Sequence, residues 1–330
     1  MRKATQLKGL SNAKYGYLFS IPFILAFLIF SMYPTFYTFI LGFTDCQGAG
    51  NNDWHILSGD LFQNFTKVLN NGTFKTSMKN TVVIWLLNFV PQITLAMVLT
   101  AWFTARRISV KGQGFFKVVF YMPNIITAAT IAILFSTLFA YPVGAVNDFL
   151  VSTGIRDTAY YFDNHKWAVK LLIAFIQFWT WYGYTMIILI SGVLGISPDI
   201  YEAADIDGAN GVQTFFMITI PNLKTILLYT LVTSLIGGLN MFDIPKIYLN
   251  GGPDNASITA NVFIYNKAFT GKNQYNQAAA ASMIMFAIIA VCSAFIFFIM
   301  RDKEEIANQK KMKAAKKAAK ARKAGFDNGF

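Results

Sequence analysis

Residues Asn80–Phe103 read NTVVIWLLNFVPQITLAMVLTAWF, a stretch without one ionisable side chain. A helix rises 1.5 Å per residue, so about twenty apolar residues cross roughly 30 Å of hydrocarbon. The stretch reads as a membrane span, and similar apolar blocks recur at roughly 16–43, 115–139, 168–194, 222–242 and 278–300. The predicted fold class is all-α, a polytopic membrane protein with about six transmembrane helices. Composition agrees: 55% of the 330 residues are hydrophobic and 13% are charged, too few charges to cover a soluble domain of this length. Pro34 and Pro91 lie inside spans and are expected to kink them, which a bundle tolerates because neighbours satisfy the freed carbonyl.

The net charge of +12 does not point to nucleic acid. Most Lys and Arg flank apolar blocks: Arg2, Lys3, Lys8 and Lys14 before the first, Arg106, Arg107, Lys111 and Lys117 between the second and third. Arg301, Lys303 and the run from Lys310 to Lys323 follow the last. Six crossings put these segments on one side, and the positive-inside rule names that side the cytoplasm. The expected organisation is a cytoplasmic tail over 1–15, a first transmembrane helix over 16–43, a core of five further helices over 77–300 and a basic cytoplasmic tail over 301–330. The run from Tyr17 to Phe43 is too long for a signal-peptide core and reads as an uncleaved span. The tail KKMKAAKKAAKARKA (Lys310–Ala324) has strong helix-forming composition, with a lipid surface as its expected partner. The segments 44–79, 140–167 and 243–277 are expected to be ordered caps on the outer side.

Enzymatic chemistry is not in evidence. No Gly-x4-Gly-Lys-Ser/Thr phosphate loop occurs, so ATP, if used, is bound by another subunit and no cofactor is expected on this chain. His55 and His165 are the only histidines, which excludes a His-Glu-x2-His zinc site, and no metal site is expected. Cys46 and Cys292 are expected to stay unpaired.

One loop departs from the basic pattern. Between Lys170 and Lys224 there is no Lys or Arg, and loop 195–221 carries Asp199, Glu202, Asp205 and Asp207. Its core, Ser197–Pro221, reads SPDIYEAADIDGANGVQTFFMITIP. Ser197 followed by Pro198 predicts a helix start, and Gly208 a left-handed stop. Asn210 with Gln213 predicts a capping box opening a second short helix, Gly211–Ile218, with Pro221 opening the next span. Small Ala203 and Ala204 would allow close approach of a partner. From the pattern alone, docking to a protein and resting at the lipid interface remain equal alternatives.

Glu202-Ala203-Ala204, then Gly208, Ile218 and Pro221 resembles the EAA signature of ABC importer permeases, EAA-x3-G-x9-I-x-LP, with Ile220 in place of leucine. FFKVVFYMPNIITAATIAILFSTLF and PVGAVNDFL (within Phe115–Leu150) and MFDIPKIYLNGGP (Met241–Pro253) are similar to the carbohydrate subgroup, the maltose/multiple-sugar class. The resemblance covers about residues 15–300. It implies a type I importer permease fold, a second permease subunit, ABC ATPase subunits, an extracytoplasmic solute-binding protein and a bacterial or archaeal cell membrane. It also implies that Glu202, Ala203, Ala204, Asp207 and Gly208 form the ATPase-coupling element, framed by Ile218 and Pro221. A sugar or oligosaccharide is the implied solute, with a glycerol-phosphate-like solute as the alternative. An ATP-independent secondary transporter is a further rival, although the spans lack the ionisable residues expected for ion coupling.

Polar residues inside spans are candidate path residues, because each is costly unless it faces a cavity or a partner helix. Gln177, Trp181 and Tyr184, near Trp179, cluster in the fourth block; Asn240 and Asp243 end the fifth; Asn88 and Gln92 flank Pro91. Aromatic faces could stack on a sugar while amides bond its hydroxyls. Helix-packing glue and an interfacial aromatic belt are the competing roles.

Overall fold

The computed structural model describes residues 13–48, 50, 53–106, 111–300 and 312. The basic tails and Arg107 lie outside them, so the charge-based placement of those segments has no structural counterpart here. Among the described residues the protein is helical, with one isolated antiparallel bridge, Thr44 to Ile56. Five helices are long and apolar enough to cross a membrane: α1 (Tyr15–Leu41), α2 (Gly72–Phe103), Lys166–Leu194, Lys224–Leu249 and Tyr275–Met300. A bent pair, α3 (Gln113–Ile125) and α4 (Ala128–Leu138), supplies a sixth candidate.

The third block, expected as one span over roughly 115–139, is broken in this pair. Its two halves meet at 91°. Pro123 sits in a tight 3-10 turn, Met122–Ile125, and has no N–H to continue the ladder. Ile126 and Thr127 are extended, and the Thr127 hydroxyl accepts from the Thr130 N–H to start α4. The apolar content of the stretch hid a break written in Pro123 and Thr127.

Proline acts differently in the other spans. α2 runs through Pro91 as unbroken helix. In α1 the turn before Pro34 widens into a π-helical segment, Leu28–Met32, a local adjustment by which a membrane helix accommodates a residue without an N–H. The fourth span, α5 (Lys166–Leu194), is a single helix. The fifth does not end at 242 as expected: α7 (Lys224–Leu239) gives way at Asn240–Phe242, and α8 (Asp243–Leu249) continues it. Between α5 and α7 the acidic loop carries a short helix, α6 (Pro198–Ile206). α9 (Tyr275–Met300) closes the described chain apart from Met312.

The described residues fall into two compact units, one within Met1–Ser77 and Ala260–Phe286, the other within Met78–Thr259 and Ala287–Phe330. In the first, none of the apolar window of α1 is buried. The segment after α1 is tied down by Asn64, whose buried side-chain amide donates to the Gly42 and Thr44 carbonyls at 3.0 and 2.8 Å. Phe74 and Phe263 pack at 5.3 Å between ring centres. Cys46 and Cys292 are both free thiols.

The second unit holds two apolar clusters. One gathers Ile84, Ile131, Phe135, Ile173, Ile244 and Tyr248 from α2, α4, α5 and α8. The other gathers Ala96, Leu99, Tyr182, Met186 and Leu189 from α2 and α5. α5 crosses the end of α3 closely enough that a Cβ on Gly183 would lie 2.0 Å from the Phe120 carbonyl oxygen. Backbone cannot step aside as a side-chain tip can, so Gly183→Val is expected to cost about 1–3 kcal/mol. A lowered midpoint of thermal unfolding in detergent would show it; an unchanged midpoint would contradict the crossing.

Candidate functional site

Two features concentrate polar groups. The first is the acidic loop. α6 starts with Pro198 at its first position and Asp199 in its first turn, where a carboxylate meets the positive helix end. Ser197 takes the N-cap place but makes no side-chain cap bond, so its predicted capping role is not realised. The far end matches the expectation: Gly208 is left-handed at φ +75°. Ala209 N–H donates to the Ala204 carbonyl at 3.0 Å and Gly208 N–H to that of Asp205 at 3.2 Å, the paired bonds of a Schellman stop. The Asn210–Gln213 capping box also forms, with both bonds at 2.9 Å.

Beyond that box the structure departs from the expected short helix Gly211–Ile218. Three α-helical residues pass into a π-helical segment, Thr214–Thr219, then into Ile220–Asn222 and α7. Pro221 therefore lies within a near-continuous helical run rather than at a fresh start. The loop is tied to that run by Tyr201, whose hydroxyl lies 3.2 Å from that of Thr219.

Within the signature, Ala204 is buried and Ile218 partly so, while Glu202, Ala203, Asp207, Gly208 and Pro221 are exposed. Ile206 is 87% exposed and Met217 72%, an apolar display unusual beside four acids. Two of those acids have a partner within the chain that sequence reading did not anticipate. Arg106 reaches Glu202 at 3.8 Å and Asp205 at 3.6 Å, and lies 5.9 Å from the centre of the Tyr201 ring. All three charged side chains are substantially exposed, so each pair is worth about 1 kcal/mol or less. The contact orients α6 more than it stabilises the fold.

The second feature is a cavity of about 480 Å³ in the second unit, within the usual 300–1,000 Å³ of small-molecule sites. It is walled by α2, α5 and α7 and floored by the two helix breaks, at Asn124–Ala128 and Asn240–Ile244. All five predicted path residues, Gln177, Trp181, Tyr184, Asn240 and Asp243, line it, although they are scattered over two spans in sequence. Asn88 and Gln92 line it too, and Gln92 also donates to the Thr185 hydroxyl at 2.7 Å, joining α2 to α5. The Asn240 amide turns back to the Ile236 carbonyl at 2.9 Å. Trp179 does not belong to the cluster; it packs into the apolar core with Phe135.

Sequence reading missed the rest of the wall. Thr230 and Thr233 donate to carbonyls one turn back at 2.8 Å, the habit of any hydroxyl in an apolar helix, and nothing in their pattern marks them as lining. Trp85 was one apolar residue among many. Its setting is specific: the indole N–H lies 3.3 Å from the Ser234 hydroxyl, and the ring abuts Gly238, where a Cβ would come within 1.9 Å of Cδ1. Gly238→Ala is expected to drive the indole from this seat and change tryptophan emission. Gly237→Ala, whose added methyl would meet nothing within 4 Å, should leave it unchanged. Equal spectra for the two variants would refute the seating.

The comparisons agree with this architecture. The family described as "Binding-protein-dependent transport system inner membrane component" matches residues 81–303. The chain is 30% identical over 294 residues to the lactose transport system permease protein LacF of Rhizobium radiobacter, covering 88% of this chain and 95% of that one. It is 29% identical to the arabinooligosaccharides transport system permease protein AraP of Bacillus subtilis, over 84% and 85% of the two chains. Against the multiple sugar-binding transport system permease protein MsmF of Streptococcus mutans it is 28% identical, over 87% and 95%. Among solved structures, a bacterial ABC transporter for import of the acidic polysaccharide alginate shares the fold, with a TM-score of 0.75 at 22% identity over 88% and 96% of the chains. With the match spanning the greater part of its length, and with apolar helices enough for several crossings, the chain is a multi-pass membrane protein that belongs to the binding-protein-dependent transport system inner membrane component family.

Proposed function

We propose that the protein is the membrane-spanning permease subunit of an ATP-driven sugar importer, forming half of the solute path. The family supplies the permease role; the sugar rests on relatives named for lactose, arabinooligosaccharides and multiple sugars. The observation that carries the reading is the cavity, where Trp85 and Trp181 offer apolar faces amid the amides of Asn88, Asn124 and Gln177 and a set of hydroxyls. Sugar rings present an apolar face and a rim of hydroxyls, so that mixture suits them.

The partners are an extracytoplasmic solute-binding protein, two ABC ATPase subunits that bind and hydrolyse ATP, and a second permease chain that completes the path. The solved alginate transporter, also determined in complex with an alginate pentasaccharide-bound periplasmic protein, supports the first of these. In this reading α6 is the coupling element. Glu202, Ala203, Asp207 and exposed Ile206 meet a groove of the ATPase, and buried Ala204 seats the helix. Ile218 and Pro221 frame the helical run that carries the push. The acidic loop and both tails lie in the cytoplasm, and segment 140–167 lies outside. When the ATPase dimer closes on ATP, the loop is drawn inward and α7 carries the displacement to the cavity wall. The solute path then changes the side to which it opens.

Gly208 sits where only a residue free to adopt positive φ avoids strain. Glu202→Lys with Gly208→Pro is expected to abolish ATP-dependent uptake in reconstituted vesicles while the protein still reaches the membrane. Persistent uptake with ATPase subunits still bound would sink the coupling role; uptake without any ATPase would favour a secondary transporter. Cysteines placed at Asp207 and at Tyr141 should be labelled from the inside and the outside of intact cells respectively. Labelling of both from one side would overturn the orientation.

A further inference from the structure

Among the described residues lining the cavity, the sole ionisable carboxylate is Asp243, and no lysine or arginine accompanies it. Asp243 is exposed, at the first position of α8 just past the break at Asn240–Phe242. Lys246, one turn further along α8, is not among the lining residues. The remaining polar groups are neutral amides and hydroxyls, including Asn124, Gln177, Thr233 and Ser234.

We propose that this cavity selects uncharged carbohydrate and rejects anionic solutes, with Asp243 setting the sign. The inference rests on reading the cavity as the solute path and deepens it by naming the charge class. A sugar hydroxyl both donates and accepts, so it can donate to the Asp243 carboxylate and accept from the amides. A carboxylate or fully ionised phosphate on the solute can only accept. It would shed water facing a like charge, with no lysine or arginine among the described lining residues to replace that hydration. Like charges brought together across an interface cost enough to suppress the wrong partner by tenfold or more, an order-of-magnitude expectation. The same geometry weighs against a phosphorylated polyol. It also predicts for this chain a solute unlike the acidic polysaccharide in the name of the solved transporter that shares its fold.

The test uses the assembled transporter, with both permease chains and the ATPase subunits in lipid nanodiscs, without its binding protein, so that no upstream filter intervenes. Calorimetric titration compares neutral probes (lactose and arabinotriose) with an anionic one (digalacturonate). The expected result is binding of at least one neutral probe and at least about tenfold weaker binding of the uronate. Asp243→Asn should narrow that gap, Asp243→Lys should close or invert it, and Asp243→Glu should restore it. The glutamate variant guards against a mere folding defect, because it keeps the charge while changing the packing. Uronate binding as tight as neutral binding in the unaltered transporter would overturn the charge rule and leave the cavity as a sugar site. So would a ratio that Asp243→Lys leaves unchanged. If neither class binds, the cavity is not a solute path, and both readings fall.

Discussion

A backbone that stops being helical inside hydrocarbon must find new partners for its N–H and C=O groups, and the second unit is arranged around that demand. Each freed polar group would cost several kcal/mol in lipid, so irregular chain survives there only where protein or a wet cavity receives it. Here two breaks lie on one cavity. At the first, Asn124 donates across to the Thr180 carbonyl of α5 at 3.3 Å, and Thr127 caps the restarted helix. At the second, the Thr259 hydroxyl donates to the Met241 carbonyl at 2.9 Å. The cavity exists because the helices that would have filled it are interrupted, and the interruptions survive because side chains from elsewhere in the unit satisfy them.

The apolar clusters hold those interrupted pieces in place. α8 seats Ile244 and Tyr248 against α4 and α5, and the Tyr248 hydroxyl donates to Asp163 at 2.6 Å. A short helix after a break has little stability of its own; packing and that bond fix its direction. Asp243 is carried with it, so its position in the wall follows from burial several residues away.

Much of this was legible in the sequence, and the failures share a cause. Hydropathy located the five long apolar helices and the bent pair because length and apolarity are what the bilayer demands. Residues whose signal is local were also readable: Gly208 and the Asn210–Gln213 box state their geometry within a few positions. The five residues that line the cavity as a group could be chosen because a polar side chain in an apolar span is conspicuous. What could not be read was whether an apolar stretch stays straight. Phe115–Phe139 looks continuous by hydropathy, and the bend is carried by Pro123, which in α2 has a counterpart, Pro91, that causes no break. Threonines on the cavity wall bond their own helix and so look inert. Arg106 and its acids lie about a hundred residues apart, and a weak exposed contact leaves no trace in composition.

The helical run that begins at the Asn210 cap and ends at Asn240 has a mechanical corollary. Its last helix, α7 (Lys224–Leu239), rises by roughly 24 Å at 1.5 Å per residue and carries the Trp85 seat at Gly238 near its far end. A tilt of about ten degrees around the middle of α7 would move each of its ends by roughly 2 Å in opposite directions, as a seesaw does. Any displacement of the acidic loop must pass along the chain through the π-helical turn at Thr214–Thr219 before it reaches α7.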